Sequence, residues 1–361
     1  MNNAITHIGK NFIVGLSGLT LTNREKELLS LLKPSGIIIF SHNIDKDDAN
    51  WPNKLHLLIN TAKEAIGNEH ILVSIDHEGG KVHRLPPPVT HFPPARMWKE
   101  QCEGVGSCMG LELRALSINL NFAPVLDIHC EPQNQVIGNR AFSDCAEEVG
   151  DRAISFIKGM EGEGVLACAK HFPGHGATVA DSHFELPVLN VPAPTIYKRE
   201  LLPFRKAIQR GIHLLMTAHV LYPALDPLNP ATTSSIILRD ILRGELGFKG
   251  AVISDALEMN ALSNISAEHL AVSTLRAGVD LLLVAKVDKQ LPLEMACELG
   301  QHAMIAIDNL TLSESILTES HSHIDELMLY SQLLAKNAKY KDYPISLLWE
   351  QGRRIPQIAT C

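Results

Sequence analysis

Two groups of residues have the types and spacing that displacement at an acetal carbon requires. Asp255, in VISDALEM, closes an apolar run. A carboxylate at the end of a strand either caps the helix that follows or reacts. Asp181 and His183 stand one residue apart in KHFPGHGATVADSH (170–183). In extended chain the side chains of i and i+2 project to the same side, so the carboxylate can hold one ring nitrogen. The other nitrogen is then left to give or take a proton near an unperturbed pKa of about 6.5. A nucleophile faced by a positioned acid/base implies a double displacement. Asp255 would attack C1 while His183 protonates the departing oxygen. The same histidine would then deprotonate the water that breaks the ester, so configuration is retained.

Asp76, Arg84, Arg140, Lys170 and His171 suit the holding of hydroxyl groups better than chemistry. For Arg84 a surface salt bridge is as good a reading. His171 and His175 stand four apart, but Pro173 and Gly174 between them prevent the helical geometry of a zinc pair, so neither a metal nor a cofactor is expected. His175 reads as an imidazole that satisfies backbone groups in a tight turn. Aromatic residues make up only 5% of the chain, which favours a short pocket for one terminal sugar over a long stacking groove.

Such residues need a scaffold that brings distant segments to one place. Eight short apolar runs alternate with longer amphipathic stretches: 11–16, 36–40, 70–76, 120–128, 165–172, 212–220, 250–257 and 279–285. Helix-like segments at 23–33, 147–164, 197–210 and 267–278 are long enough to cross back over a sheet. The runs are continuously apolar, as expected of strands covered on both faces. The predicted fold is α/β, a single (β/α)8 TIM-type barrel, since eight such units take about 250 residues. Residues 1–310 would form the catalytic domain and 311–361 a C-terminal helical tail packed on it or trailing from it. A barrel points the polar ends of its strands into one mouth, where Asp76, Lys170, His171, His219 and Asp255 would converge.

Composition narrows the partners. The chain has 361 residues, 45% of them hydrophobic and 20% charged, enough to bury a large core. A formal charge of -8 and the lack of a basic stripe disfavour nucleic acid and anionic membrane surfaces. No apolar run approaches the roughly 20 residues of a spanning helix, and the first residues lack the pattern of a signal peptide. Seven scattered cysteines suit a reducing cytoplasm. No short repeat or linker is found, and oligomeric state is not legible.

The chain resembles the glycoside hydrolase family 3 β-N-acetylglucosaminidases of the single-domain NagZ type, over roughly residues 10–300. The resemblance rests on KHFPGHGATVADSH, DHEGGKVHRL, NFAPVLDI, VIGNRAF, MTAHVLYPALD and VISDALEM. It implies Asp255 as nucleophile, His183 as proton donor and acceptor tuned by Asp181, and sugar contacts from Asp76, Arg84, Arg140, Lys170 and His171. It also implies exo-removal of terminal β-linked GlcNAc, notably from GlcNAc-1,6-anhydro-MurNAc muropeptides in cytoplasmic cell-wall recycling. A GlcNAc phosphorylase or a β-glucosidase of the same family is the alternative. The chain departs from the family's usual pattern at Lys81, where arginine is common, at HCEPQNQ before VIGNRAF, and at Ala256, where a second aspartate is frequent.

Overall fold

The computed structural model of the chain describes residues 2–178, 182, 185–286 and 290–339. Each of the eight apolar runs contains parallel strand. The strands are β1 (Phe12–Gly15), β2 (Gly36–Ile39), β3 (Leu72–Ile75), β4 (Leu120–Asn121), β5 (Leu166–Ala167), β6 (Ala169–Phe172), β7 (Leu214–Thr217), β8 (Leu221–Tyr222), β9 (Asp226–Pro230), β10 (Ala251–Ile253) and β11 (Leu282–Val284). A six-stranded parallel sheet runs β11-β1-β2-β3-β4-β5 and a three-stranded one β10-β7-β6, while β8 and β9 form a small antiparallel hairpin. The parallel sheets meet at two isolated bridges, Ile253 with Leu281 and Val125 with Lys170. The run at 165–172 is two strands, because β5 pairs with β4 and β6 with β7. Between them the Cys168 amide lies 3.1 Å from the Asn121 carbonyl and 2.9 Å from that of Ala123.

The continuous hydrophobicity of the strands has a direct cause. Ile13, Ile38, Leu72, Met216, Ile253 and Leu283 face one buried cluster, while their neighbours Val14, Ile37, Val73, Leu215, Val252 and Leu282 face another beneath the helices. Both faces are shielded, so alternation would leave polar groups without water.

The helices are α1 (Asn2–Gly9), α2 (Asn23–Leu32), α3 (Trp51–Ile66), α4 (Cys102–Ala115), α5 (Ala146–Gly162), α6 (Ala193–Thr195), α7 (Leu201–Gln209), α8 (Ala267–Ala277), α9 (Pro292–Asp308) and α10 (Glu314–Asn337). Wider π-type turns occupy Ile196–Glu200 and Ile236–Glu245. Thr22 and Glu25 form a reciprocal capping box at the start of α2. Ser266 caps α8, which stops at Gly278, a position with φ of +105° that glycine adopts without strain.

Helix α10 lies at the amino ends of the strands. Ile324 and Leu327 enter the cluster between the strands, and Ser320 and His321 bond Asn11 just before β1. His323 reaches Asp280, which also takes Arg243 at 2.7 Å. Among the described residues no helix is long and apolar enough to cross a membrane.

Candidate active site

The opposite, carboxyl ends of the strands carry the polar residues. Asp76 follows β3, Lys170 and His171 belong to β6, His219 lies just past β7, and Asp255 lies just past β10. Asp255 is half-buried and lines a cavity of about 350 Å³ with Phe40, Asp76, Arg84, Glu258 and Lys286. Burial pushes its carboxyl up, but His219, His171, the Ala256 amide and Lys170 outweigh that and leave it below the ordinary carboxylate value. It is therefore ionised at neutral pH. The capping alternative finds only a local bond, from the Ala256 amide to Oδ1 at 2.8 Å.

His219 steadies the residue after Asp255. Its Nε2 lies 3.0 Å from the Ala256 carbonyl and its Nδ1 2.7 Å from Thr232 Oγ1. A carbonyl only accepts, so Nε2 carries the proton. Ala256, whose amide holds the Asp255 carboxylate, is thus itself held at its carbonyl by His219 just past β7.

A chain of buried charges crosses from this cavity. Lys170 Nζ sits 2.7 Å from Asp76 and 2.7 Å from Glu78, and Glu78 accepts from Arg140 Nε at 2.7 Å and Nη2 at 2.9 Å. Burial raises the Glu78 carboxyl, and Arg140 and Lys170 together pull it well below the usual range. Burial lowers Lys170, and Asp76 and Glu78 more than restore it. Two carboxylates against two cations balance, so the charges can remain ionised out of water.

His171 is set by Asp127, whose Oδ2 lies 2.6 Å from Nδ1. Oδ1 of the same carboxylate accepts the His175 amide at 2.6 Å. This leaves His171 Nε2 for a ligand. His175 serves the turn through hydroxyls rather than backbone groups, with Nδ1 2.7 Å from Thr178 Oγ1 and Nε2 3.3 Å from Ser182 Oγ. Its burial lowers the imidazole to about 4, so it is neutral.

Arg84 lies with its Cζ 5.7 Å from the Phe40 ring centre, and its Nε is buried without a hydrogen-bond partner. Asp181 and His183 lie outside the described residues; the chain leaves toward them after Thr178 and is described again, apart from Ser182, from Glu185. Glu78, Asp127 and Glu258 escaped the sequence reading. Glu258 accepts the Ala285 and Lys286 amides, holding the exit of β11, and burial raises its carboxyl to about 7. The available signal was spacing: Glu78 follows Asp76 by two residues and Asp127 is the one charged residue of its apolar run. Among the described residues no group of three or more histidine, cysteine or acidic side chains has the geometry to hold a metal ion.

The glycosyl hydrolase family 3 N-terminal domain matches residues 11–327. A β-hexosaminidase from Nitrosomonas eutropha is 37% identical over 284 residues, 75% of this chain and 79% of its own. One from Pasteurella multocida is 33% identical over 355 residues, 95% of this chain and 94% of its own. The solved family 3 β-N-acetylglucosaminidase of Paenibacillus sp. str. FPU-7 superposes with a TM-score of 0.86 at 34% identity, covering 98% of this chain and 68% of that one. NagZ from Neisseria gonorrhoeae, solved in complex with N-trifluoroacetyl-D-glucosamine, gives a TM-score of 0.68 at 28% identity, with 87% and 97% covered.

Proposed function

We propose, on the premise that the chain belongs to glycosyl hydrolase family 3 and is a glycoside hydrolase, that it is a retaining exo-β-N-acetylglucosaminidase. The observation that carries this reading is the ionised Asp255 in a cavity shared with Asp76 and Arg84. Asp255 attacks C1 from one side of the sugar, and the bond to the leaving oxygen breaks as His183, aligned by Asp181, delivers a proton to it. His183 then takes a proton from water, which attacks C1 and releases Asp255. Asp76, Arg84, Arg140, Lys170 and His171 hold the sugar, which places the reacting atoms and lowers the entropic part of the barrier. The chemistry asks for no cofactor.

The two parallel sheets are read as one (β/α)8 barrel, supported by the bridges between β10 and β11 and between the Val125 and Lys170 segments. Residues 1–310 are assigned to the catalytic unit and 311–361 to a helical tail. The donor sugar is GlcNAc, supported by the acylated glucosamine bound to the similar Neisseria protein. The natural substrate is proposed to be a GlcNAc-1,6-anhydro-MurNAc muropeptide, met in the cytoplasm during peptidoglycan recycling.

Release of p-nitrophenol from p-nitrophenyl N-acetyl-β-D-glucosaminide, beside the glucoside, tests the reading. Selective turnover of the N-acetyl sugar, abolished in Asp255→Ala, is expected. Preference for the glucoside would overturn the donor assignment, and undiminished activity in Asp255→Ala would overturn the nucleophile.

A further inference from the structure

The turn that carries Asp255 is bonded to the β11 segment at several points. The Ser254 amide donates to the Leu281 carbonyl at 2.9 Å, the Leu283 amide to Ser254 Oγ at 3.0 Å, and the Leu257 amide to the Leu283 carbonyl at 2.9 Å. Glu258 adds a clamp from its side chain. Its Oε1 accepts the Ala285 amide at 3.0 Å and the Lys286 amide at 2.5 Å, and its Oε2 lies 3.2 Å from the Ala285 amide.

A clamp alone does not call for a carboxylate, since one oxygen already takes both amides and the oxygen of a side-chain amide could do the same. What the carboxylate adds is charge. Glu258 is only half-buried and lines the same cavity as Asp255, so it faces the space a ligand fills. The charged groups around that space are Asp255 on its own turn, Asp76 and Arg84 from the segment after β3, and Lys286 beyond β11. Asp76 has Lys170 as counter-ion at 2.7 Å, whereas Glu258 takes part in no ion pair among the described residues. Burial raises the Glu258 carboxyl to about 7; the Lys286, Ala285 and Glu258 amides oppose this, and the charge of Asp255 adds to it. The two carboxylates are therefore within electrostatic reach of each other.

Attack at C1 passes through a state with oxocarbenium character, in which the sugar carries positive charge that the substrate lacks. A fixed negative charge beside it favours that state over the bound substrate. We propose that Glu258 serves the displacement as a second, unreactive carboxylate: the exit of β11 holds it in place, and its charge stabilises the cation-like transition state formed at Asp255. The proposal rests on the glycosidase reading above, with Asp255 as nucleophile.

Glu258→Gln tests it, because the side-chain amide oxygen keeps the clamp and the charge is removed. The substrate is a p-nitrophenyl glycoside, whose leaving group needs little protonation. Glu258 loses its charge as pH falls through about 7, so wild-type kcat/KM is expected to drop about tenfold there, to a level held until Asp255 itself takes a proton. Glu258→Gln should show no such step and stay near the lower level, with kcat reduced and KM little changed, the split expected of an interaction made only in the transition state. Glu258→Asp keeps the charge and should keep a step, although its shorter side chain weakens the clamp. Wild-type kcat/KM in Glu258→Gln at about pH 8, a step that persists in it, or the absence of a step from a Glu258→Asp variant folded by circular dichroism would each overturn the proposal. Failure of the wild type to turn over p-nitrophenyl N-acetyl-β-D-glucosaminide is a separate result: it strikes the donor assignment, and Glu258 is then measured on the glycoside that is hydrolysed.

Discussion

Glu78 and Arg140 are joined by two hydrogen bonds, Nε to Oε2 at 2.7 Å and Nη2 to Oε1 at 2.9 Å, with the carboxylate 4% exposed. The paired geometry fixes the guanidinium plane, and Lys170 on the Oε1 side fixes the carboxylate in turn. Glu78→Gln leaves two buried cations with one fewer charge between them. It should cost about 3 kcal/mol in urea unfolding and lower kcat/KM. Wild-type stability in the variant would show that Arg140 and Lys170 do not depend on this carboxylate.

On the proposed reading Asp127 would act on the sugar through His171, whose Nδ1 it holds. Asp127→Asn puts an amide or a weaker acceptor where Nδ1 of His171 and the His175 amide both donate. A loss of about ten- to a hundredfold in kcat/KM is expected, with the fold retained by circular dichroism. Unchanged kinetics would remove His171 from the binding set.

For His183 the informative measurement is leaving-group dependence. A p-nitrophenolate departs with little help, whereas an alkoxide needs its proton. His183→Ala should therefore depress kcat/KM, which reports glycosylation, for an alkyl N-acetylglucosaminide by about 10²- to 10⁴-fold and for the p-nitrophenyl compound by much less, while kcat falls for both because hydrolysis of the ester loses its base. Equal losses in kcat/KM on both would deny His183 the acid role.

His219 bears on the acidity of Asp255. It is the foremost of the groups that draw the Asp255 carboxyl down against the effect of burial. In His219→Phe that support is gone, the carboxyl rises, and the acid limb of the kcat/KM profile should move to higher pH. A limb that stays in place would assign it to another group.

Glu112 gives a stability signature. Burial raises its carboxyl from 4.5 to about 7, with Thr90 only partly offsetting this, so the folded protein holds a proton that the unfolded chain has released. Between those values stability falls as pH rises, and above them the penalty is constant. Glu112→Gln should flatten the decline between pH 5 and 7.5 by about 1–2 kcal/mol, read from urea midpoints at both pH values. Parallel curves for wild type and variant would contradict this.

What the sequence disclosed followed from locality. The apolar runs report shielding of each strand on its own, and each contains strand. The division at Cys168 was illegible because it arises from which neighbour each half pairs with. Asp76, Lys170 and His171 were visible as polar breaks at strand ends. Glu78 and Asp127 were not singled out because their partners lie 62 and 44 positions away, and a buried ion pair leaves no periodic trace. Asp181 and His183 remain a sequence inference, resting on the i, i+2 spacing and the family resemblance.

The interlocking of Asn11 with Ser320, and of Phe12 with Leu282, bears on how the protein is made. Strand β1 gains its second neighbour, β11, only after the stretch up to Leu282 has been synthesised, and Ile13 meets Ile324 and Leu327 later still. A nascent chain must therefore carry β1 with β2 as its one strand partner until β11 has been made, a pairing of high sequence separation that closes slowly. A product interrupted before α10 would leave the amino ends of the strands uncovered, and proteases of cellular quality control would recognise it by that exposed apolar floor.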